Sequence, residues 1–322
     1  MKVAFVPRYG PPEVVEFREL PDPVPGPGQV RIRLRAAAVT TGDMRLRSGV
    51  LPRGFGWLRG LALGFGGPRA GVLGTDAAGV VDAVGPDVTT FALGDEVVAF
   101  PGVSMGAHAE LLLLPADGKV VPKPASLSFE EAVALPFGAS TALHFLRAAG
   151  VKPEERVLVN GASGNVGSMA VQLARQMGAR VTGVCGGANA ELVRSLGAAE
   201  VIDHREMDFT QSGASWDVVV DTVGNAPYAR VGPVLKPGGR LLAVLADLPA
   251  TLGAPLAGRT AGHRVIAGPG VETRALLEEV VGLAAAGELR AVVDSVLPFA
   301  EIVEAYRRVD GGRKRGSVVL RF

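Results

Sequence analysis

Val157-Leu-Val-Asn-Gly161-Ala-Ser-Gly164-Asn-Val-Gly167 is the stretch whose reading decides the fold. A short apolar strand runs into a glycine-rich turn, and a helical pattern opens at Gly167 and continues to Met177. Each glycine has its own physical use at this spacing. Gly161 permits the tight turn, Gly164 lets the backbone approach a pyrophosphate, and Gly167 lets helix and sheet pack closely. The unpaired N–H groups and positive dipole end of the new helix would then face phosphates. In a chain with 44 Gly the glycines alone are a weak signal. The strand before them and the helix after them make a nucleotide-binding turn the specific reading.

Working outward, strands are predicted over 181–184, 201–203, 217–221, 240–245 and 263–267, with a helix over 190–196. Strands alternating with helices, in apolar runs too continuous for burial on one face, indicate a parallel sheet covered on both sides. Upstream, Ser128 followed by Glu131 reads as a capping box opening a helix over 129–134, and 140–149 is helical in pattern. Residues 1–122 read differently. A short strand over 14–18, a Pro/Gly turn over 21–28, the alternation V-R-I-R-L-R within 29–36, and runs over 79–84 and 96–100 suggest a small barrel. The stretch 51–71 fits neither period and reads as a surface loop, a short helix or a lid over a substrate. The tail carries helices over 272–286 and 300–309 and a last strand over 317–322.

Charge and cysteine content exclude several classes. With 33 Lys+Arg against 32 Asp+Glu over 322 residues, the chain has no polybasic nucleic-acid arm and no acidic tail. A chain 48% hydrophobic and 20% charged is globular. One cysteine, Cys185, allows neither an intrachain disulfide nor a thiolate zinc cluster. The opening does not read as a signal peptide, and no apolar run reaches the ~18 residues of a membrane span. The expectation is a cytoplasmic protein with no nucleic-acid or membrane partner.

Preference for NADH usually rests on an acidic residue at the end of the second strand, on the ribose hydroxyls. That place reads Val184-Cys185-Gly186-Gly187-Ala188-Asn189, without a carboxylate. A 2′-phosphate there would meet no like charge and could accept hydrogen bonds from the Gly186 and Gly187 amides and from Asn189. Charge-assisted bonds contribute about 1.5–3 kcal/mol each, so one added cation decides the preference. Arg194, His204 and Arg205 are the nearby candidates, and NADPH is the cofactor expected.

Several segments together carry a family resemblance: 29–36, 40–43, the run Gly71-Val-Leu-Gly-Thr-Asp-Ala-Ala-Gly-Val-Val, Gly94-Asp-Glu-Val, the Gly161 turn, 196–203, Asp221-Thr-Val-Gly, and 235–240. In order and spacing the chain resembles the zinc-free quinone oxidoreductases (zeta-crystallin-like) of the medium-chain dehydrogenase/reductase superfamily. The resemblance implies an α/β chain with a GroES-like β-barrel catalytic domain over 1–122 and 269–322. A Rossmann domain with a doubly wound parallel sheet, over 123–268, would bind NADPH and commonly form a homodimer. It implies hydride transfer to a small-molecule acceptor, a quinone or similar activated carbonyl or alkene. Enoyl-thioester reduction, zinc-free alcohol or aldehyde oxidation and reduction, or a non-catalytic NADPH-binding structural protein are the alternatives.

The resemblance places cofactor contacts at Thr141, in the small-residue run Gly138-Ala-Ser140-Thr141, and at Gly161, Ser163, Gly164, Asn165, Val166 and Gly167. Further contacts fall at Gly186, Gly187, Asn189, His204, Val223, Leu245, Ala246, Ala267, Gly268 and the tail cation Arg315. Thr40, Asp43 and Asp76 are the polar catalytic candidates. Thr40 could bond a substrate carbonyl or simply end a strand. For Asp43 and Asp76 the favoured reading is structural, bonding backbone amides and Arg45 or Arg47. His108 would line the cleft or sit satisfied in the core, Tyr9 would reach the cleft mouth, and His144 would pack. Zinc-dependent relatives carry a first ligand near Thr40, a His-Glu pair where Thr75-Asp76 stands, and a four-Cys lobe. None of these is present, and no metal is expected. The chain also departs from the family at Thr40-Thr41, where Asn-Pro is usual, and at Ala107-His108-Ala109 and His204, where Tyr is common.

Overall fold

The structure, a computed structural model, describes residues 1–56, 60, 63–270 and 272–322, apart from the Thr260 side chain. By internal contacts the chain divides into two units, Met1–Leu51, Gly56–Phe137 and Glu272–Phe322 in one, Pro52–Phe55 and Gly138–Val271 in the other.

The first unit begins with an antiparallel pair, β1 (Lys2–Phe5) and β2 (Glu16–Glu19). The longest strand, β3 (Gln29–Val39), follows the alternation read from sequence: Val30, Ile32 and Leu34 are buried, while Arg31 and Arg33 turn outward onto Asp82. Then come β4 (Ala77–Val84), β5 (Glu96–Ala99), β6 (Leu111–Pro115) and β7 (Val120–Pro122). Between β3 and β4 lies a helix, Thr41–Ser48, where the sequence suggested only a turn. Helix Phe129–Val133 opens on the expected Ser128–Glu131 capping box. It packs on β3 and β4, which keeps the segment up to Phe137 in the first unit. Within 51–71, residues 57–59, 61 and 62 lie outside the described residues; next to them the Tyr9 hydroxyl donates to Gly64 O at 2.8 Å.

The second unit holds β8 (Arg156–Asn160), β9 (Arg180–Cys185), β10 (Glu200–Asp203), β11 (Trp216–Asp221), β12 (Leu235–Ala243) and β13 (Arg264–Ala267). All pairs are parallel, in the order β10-β9-β8-β11-β12-β13. Counted from β8, this is the doubly wound order 3-2-1-4-5-6, whose switch point lies between the first and fourth strands. Val157, Leu158, Val159, Val218, Val219 and Val220 are fully buried, as strands covered on both faces must be. Helix Asn165–Gln176 starts two residues before the expected Gly167, because its cap is Gly164.

The tail returns to the first unit. Strand β14 (Val293–Pro298) pairs in parallel with β15 (Ser317–Arg321). One edge of β3 pairs with β4; the other is shared, Gln29–Arg33 with β6 and Ala36–Val39 with β15. One strand serving three partners folds this sheet around two cores. The first gathers Val30, Ile32, Leu34, Val97 and Val120. The second seats helix Ile302–Asp310, through Ile302, Tyr306 and Val309, against Val318 and Leu320.

Candidate functional site

The parallel register brings the carboxyl ends of the six strands level: Asp203 pairs with Cys185, Val184 with Asn160, Asn160 with Asp221, Asp221 with Ala243, and Ala243 with Ala267. The nominated residues Gly161–Gly167, Gly186–Asn189, His204, Val223, Leu245, Ala246 and Gly268 therefore follow directly on strand ends along one edge of the sheet. That is the edge at which doubly wound sheets bind ligands.

The glycines of the turn do distinct things. Gly161 has φ +83° and a side chain there would strike the Thr222 hydroxyl. At Gly167 an added Cβ would overlap the Gly161 carbonyl. At Gly164 it would find only Gly161 O, at 3.4 Å, so that position is open on its outer side. Gly164 caps helix Asn165–Gln176 without a side-chain bond, which leaves the first-turn amides to a ligand. Ser163 accepts a bond from Asn189 Nδ2 at 3.1 Å, tying the turn to the loop after β9.

A buried network that the sequence did not signal holds the switch point together. Asn160 Nδ2 donates to Asp221 Oδ1 (2.9 Å) and to Asn225 Oδ1 (2.7 Å). Asp221 in turn accepts from the amides of Val223, Gly224 and Ala226. The loop after β11 is thus fixed against the end of β8. The Gly224 backbone also approaches Leu245 so closely that a Cβ on Gly224 would lie 2.9 Å from Leu245 O, which brings Val223 and Leu245 to neighbouring loops.

The end of the second strand requires a correction. A carboxylate does stand there, supplied by the adjacent strand: Asp203 at the end of β10 accepts from Gly187 N at 2.7 Å and from Arg205 N at 3.0 Å. The Gly187 amide, nominated for a 2′-phosphate, is already bonded. Those two amides and the nearby Arg205 and His204 hold the Asp203 carboxyl below the ordinary carboxylate range. Arg205, one of the three cations nominated for this place, has its guanidinium 2.7 Å from where a Cβ on Gly186 would sit. His204 is exposed and continues the ladder through its amide onto Cys185 O at 3.1 Å. Cys185 is buried, and burial raises its thiol pKa.

Fit to a dinucleotide also shows in two buried polar atoms that lack partners among the described residues, Ser140 Oγ and Asn165 Oδ1. Gly138 packs against Asn165 with no room for a side chain. An orphaned buried acceptor costs about 1–3 kcal/mol, which a ligand donor would recover. Thr141, half-buried on helix Pro136–Ala149, lies one residue beyond Ser140, and a Cβ on Gly270 would reach it at 3.9 Å.

The three catalytic candidates lie in the first unit, with Asp43 near enough for its charge to act on Asp76. Thr40 caps helix Thr41–Ser48, its hydroxyl accepting from Asp43 N, while Asp43 Oδ2 accepts from the Thr40 amide (2.8 Å) and hydroxyl (2.6 Å). Asp43 Oδ1 accepts from Gly74 N at 3.0 Å, and the residue is 0% exposed. Both groups are engaged in holding backbone. Asp43 does not meet Arg45 or Arg47; Arg47, 1% exposed, forks onto Asp310 at 2.7 and 2.8 Å and donates to Gly10 O. Asp76 accepts from Phe137 N at 2.8 Å and from the Thr75 hydroxyl at 2.5 Å. Burial lifts its carboxyl to about 7, against the pull of both bonds.

His108 is a satisfied core residue. Its Nε2 meets Ala38 O at 3.0 Å, so Nε2 carries the proton and Nδ1 accepts from the Tyr306 hydroxyl at 3.3 Å. His144 packs edge-on against Phe145. Arg315 belongs to the first unit, where its amide donates to Asp294 at 2.7 Å. Among the described residues no group of three or more His, Cys, Asp or Glu is placed to hold a metal ion, and the Thr75-Asp76 and Thr40 positions offer no zinc donor set.

These features define a class: a two-unit NAD(P)H-binding oxidoreductase with a GroES-like and a Rossmann unit. The alcohol dehydrogenase GroES-like domain family matches residues 26–125, and the zinc-binding dehydrogenase family matches residues 196–320. The mitochondrial NAD(P)H oxidoreductase RTN4IP1 of Mus musculus is 33% identical over 77% of this chain and 69% of its own. The quinone oxidoreductase of Pseudomonas aeruginosa is 31% identical, covering 97% of each chain. The solved quinone oxidoreductase of Coxiella burnetii superposes with a TM-score of 0.87 at 27% identity, over 100% of this chain and 99% of that one. The chain belongs to the zeta-crystallin-like quinone oxidoreductase group of the medium-chain dehydrogenase/reductase superfamily, and the ligand set of that superfamily's zinc enzymes is absent from its described residues.

Proposed function

We propose that this chain is an NADPH-dependent oxidoreductase that reduces a quinone or a similar activated carbonyl or alkene without zinc. One observation carries the reading: the open Gly164 cap at the switch point of a doubly wound sheet, flanked by glycines that no larger residue could replace. Relatives named as quinone and NAD(P)H oxidoreductases supply the acceptor class. NADPH, when bound, supplies the hydride.

The chain's own residues bind and orient. The amides after Gly164 take the pyrophosphate, Ser163 and Asn189 brace the turn, and the Asn160–Asp221 pair fixes the neighbouring loops. Thr141, Val223, Leu245, Ala246, Ala267 and Gly268 line the path toward the nicotinamide, and Arg205 and His204 are the cations the same unit offers to the phosphates. A reduced quinone takes its protons from water, so a strong acid is not required. Asp76, whose pKa lies at about 7, is the nominated side chain that holds a proton near neutral pH. The second unit leaves one edge of β13 unpaired among the described residues, and a homodimer through that unit is part of the proposal, checked by light scattering.

Stopped-flow absorbance with NADPH and a panel of quinones tests the function. Oxidation of NADPH with at least one quinone is expected. Tight NADPH binding with no turnover on any acceptor would leave a binding protein and sink the enzyme reading.

A further inference from the structure

At the end of β9 two adjacent glycines remove both side chains from the loop, and two opposite charges from the neighbouring strand fill the space. Arg205 lies over Gly186, and Asp203 lies against Gly187, where a Cβ would strike its carboxylate. Both are held in place: Asp203 pairs in register with Cys185, and the His204 amide between them continues that ladder. In a doubly wound sheet the loop after the second strand receives the adenosine ribose.

We propose that Asp203 and Arg205, both carried by β10 and the turn that follows it, read the 2′ position of that ribose in opposite senses, so that Asp203 restrains the preference for NADPH. The inference rests on the cofactor reading above. A 2′-phosphate approaching the Gly187 amide must displace the Asp203 carboxylate that already accepts from it at 2.7 Å, and it meets a like charge. Arg205 offers the compensating cation. A 2′-hydroxyl can instead donate to a remaining lone pair of Asp203, so the same place accepts NADH. The wild-type chain is therefore expected to bind both nucleotides with dissociation constants within about tenfold of each other.

Fluorescence titration of the full chain with NADPH and with NADH, at one ionic strength, tests this. Asp203→Asn keeps the shape and a carbonyl acceptor for Gly187 but removes the charge; it should tighten NADPH by about tenfold or more and weaken NADH. Arg205→Gln should weaken NADPH by about tenfold or more and leave NADH nearly unchanged, a readout that stands even if the Asp203 variant folds poorly. Equal shifts for both nucleotides in both variants, or none, would overturn the assignment while leaving nucleotide binding intact. Failure of the wild type to bind either nucleotide would overturn the cofactor reading itself and the assignment with it.

Discussion

The turn at Gly161–Gly167 and the polar cluster around Thr40, Asp43 and Asp76 are both dense in residues that a sequence reader nominates, and they are built in opposite ways. In the turn, side chains are absent where a ligand must come, and the helix cap has no internal partner. In the cluster, carboxylates and hydroxyls are present, but Thr40 and Asp43 are satisfied by each other and by nearby amides. Open backbone donors with no partner mark a binding site better than polar side chains do, because a side chain can always find its partner within the fold.

That contrast is open to attack at several points. Gly164→Asp should have the largest effect. Its Cβ has room, so the fold should survive, but the carboxylate would face the phosphates of the proposed cofactor. NADPH affinity should fall more than about a hundredfold by titration, with the thermal midpoint little changed. Unchanged affinity would refute the site. Arg47→Ala removes a buried side chain and leaves the Gly10 carbonyl without its donor, while Asp310 is open to water, and should cost about 1–3 kcal/mol of stability by urea denaturation. A variant as stable as wild type would show that this buried fork contributes nothing.

Asp76 gives a pH test. An unfolded Asp ionises near ~3.9, whereas the folded carboxyl is lifted to about 7. Between these values the unfolded chain releases a proton that the folded chain keeps, so the Asp76 contribution to stability falls as pH rises from about 4 to about 7 and then levels. Asp76→Asn should remove that slope, gaining on wild type by up to about 4 kcal/mol between pH 4 and pH 8. Parallel stability curves would mean that the carboxyl titrates normally. If Asp76→Asn instead lowers turnover without altering the pH dependence of stability, the residue belongs to the chemistry. Asp43→Asn should be the mildest, losing about 1–2 kcal/mol of cap stability with kcat retained. A large loss of kcat at unchanged stability would return Asp43 to the catalytic set.

Much of this was legible along the chain. The capping box at Ser128–Glu131, the buried alternation of β3, and the strand–glycine–helix unit at Gly161 are local patterns, set by residues within a few positions of one another. Helix Thr41–Ser48 was missed although its signal was present: Thr40 with Asp43 three residues later is the same cap, hidden by a short helix of low hydrophobicity. The change of period after residue 122 already marked two units, and the resemblance added the return of the tail to the first of them.

What sequence order could not reveal is which strand lies beside which. The residues after β9 contain no acid, and the expectation of a ribose site free of carboxylate is overturned by the fold. The acid arrives from Asp203, sixteen residues beyond Gly187, because parallel pairing sets the ends of β9 and β10 side by side. Asn160 meets Asp221 across sixty-one residues because β8 pairs with β11, and Arg47 meets Asp310 across 263 because the two helices that carry them pack together. Caps, turns and periodicity belong to the sequence because their partners are near in the chain. Charge balance, hydrogen-bond satisfaction and a shifted carboxyl belong to the fold because their partners are near only in space.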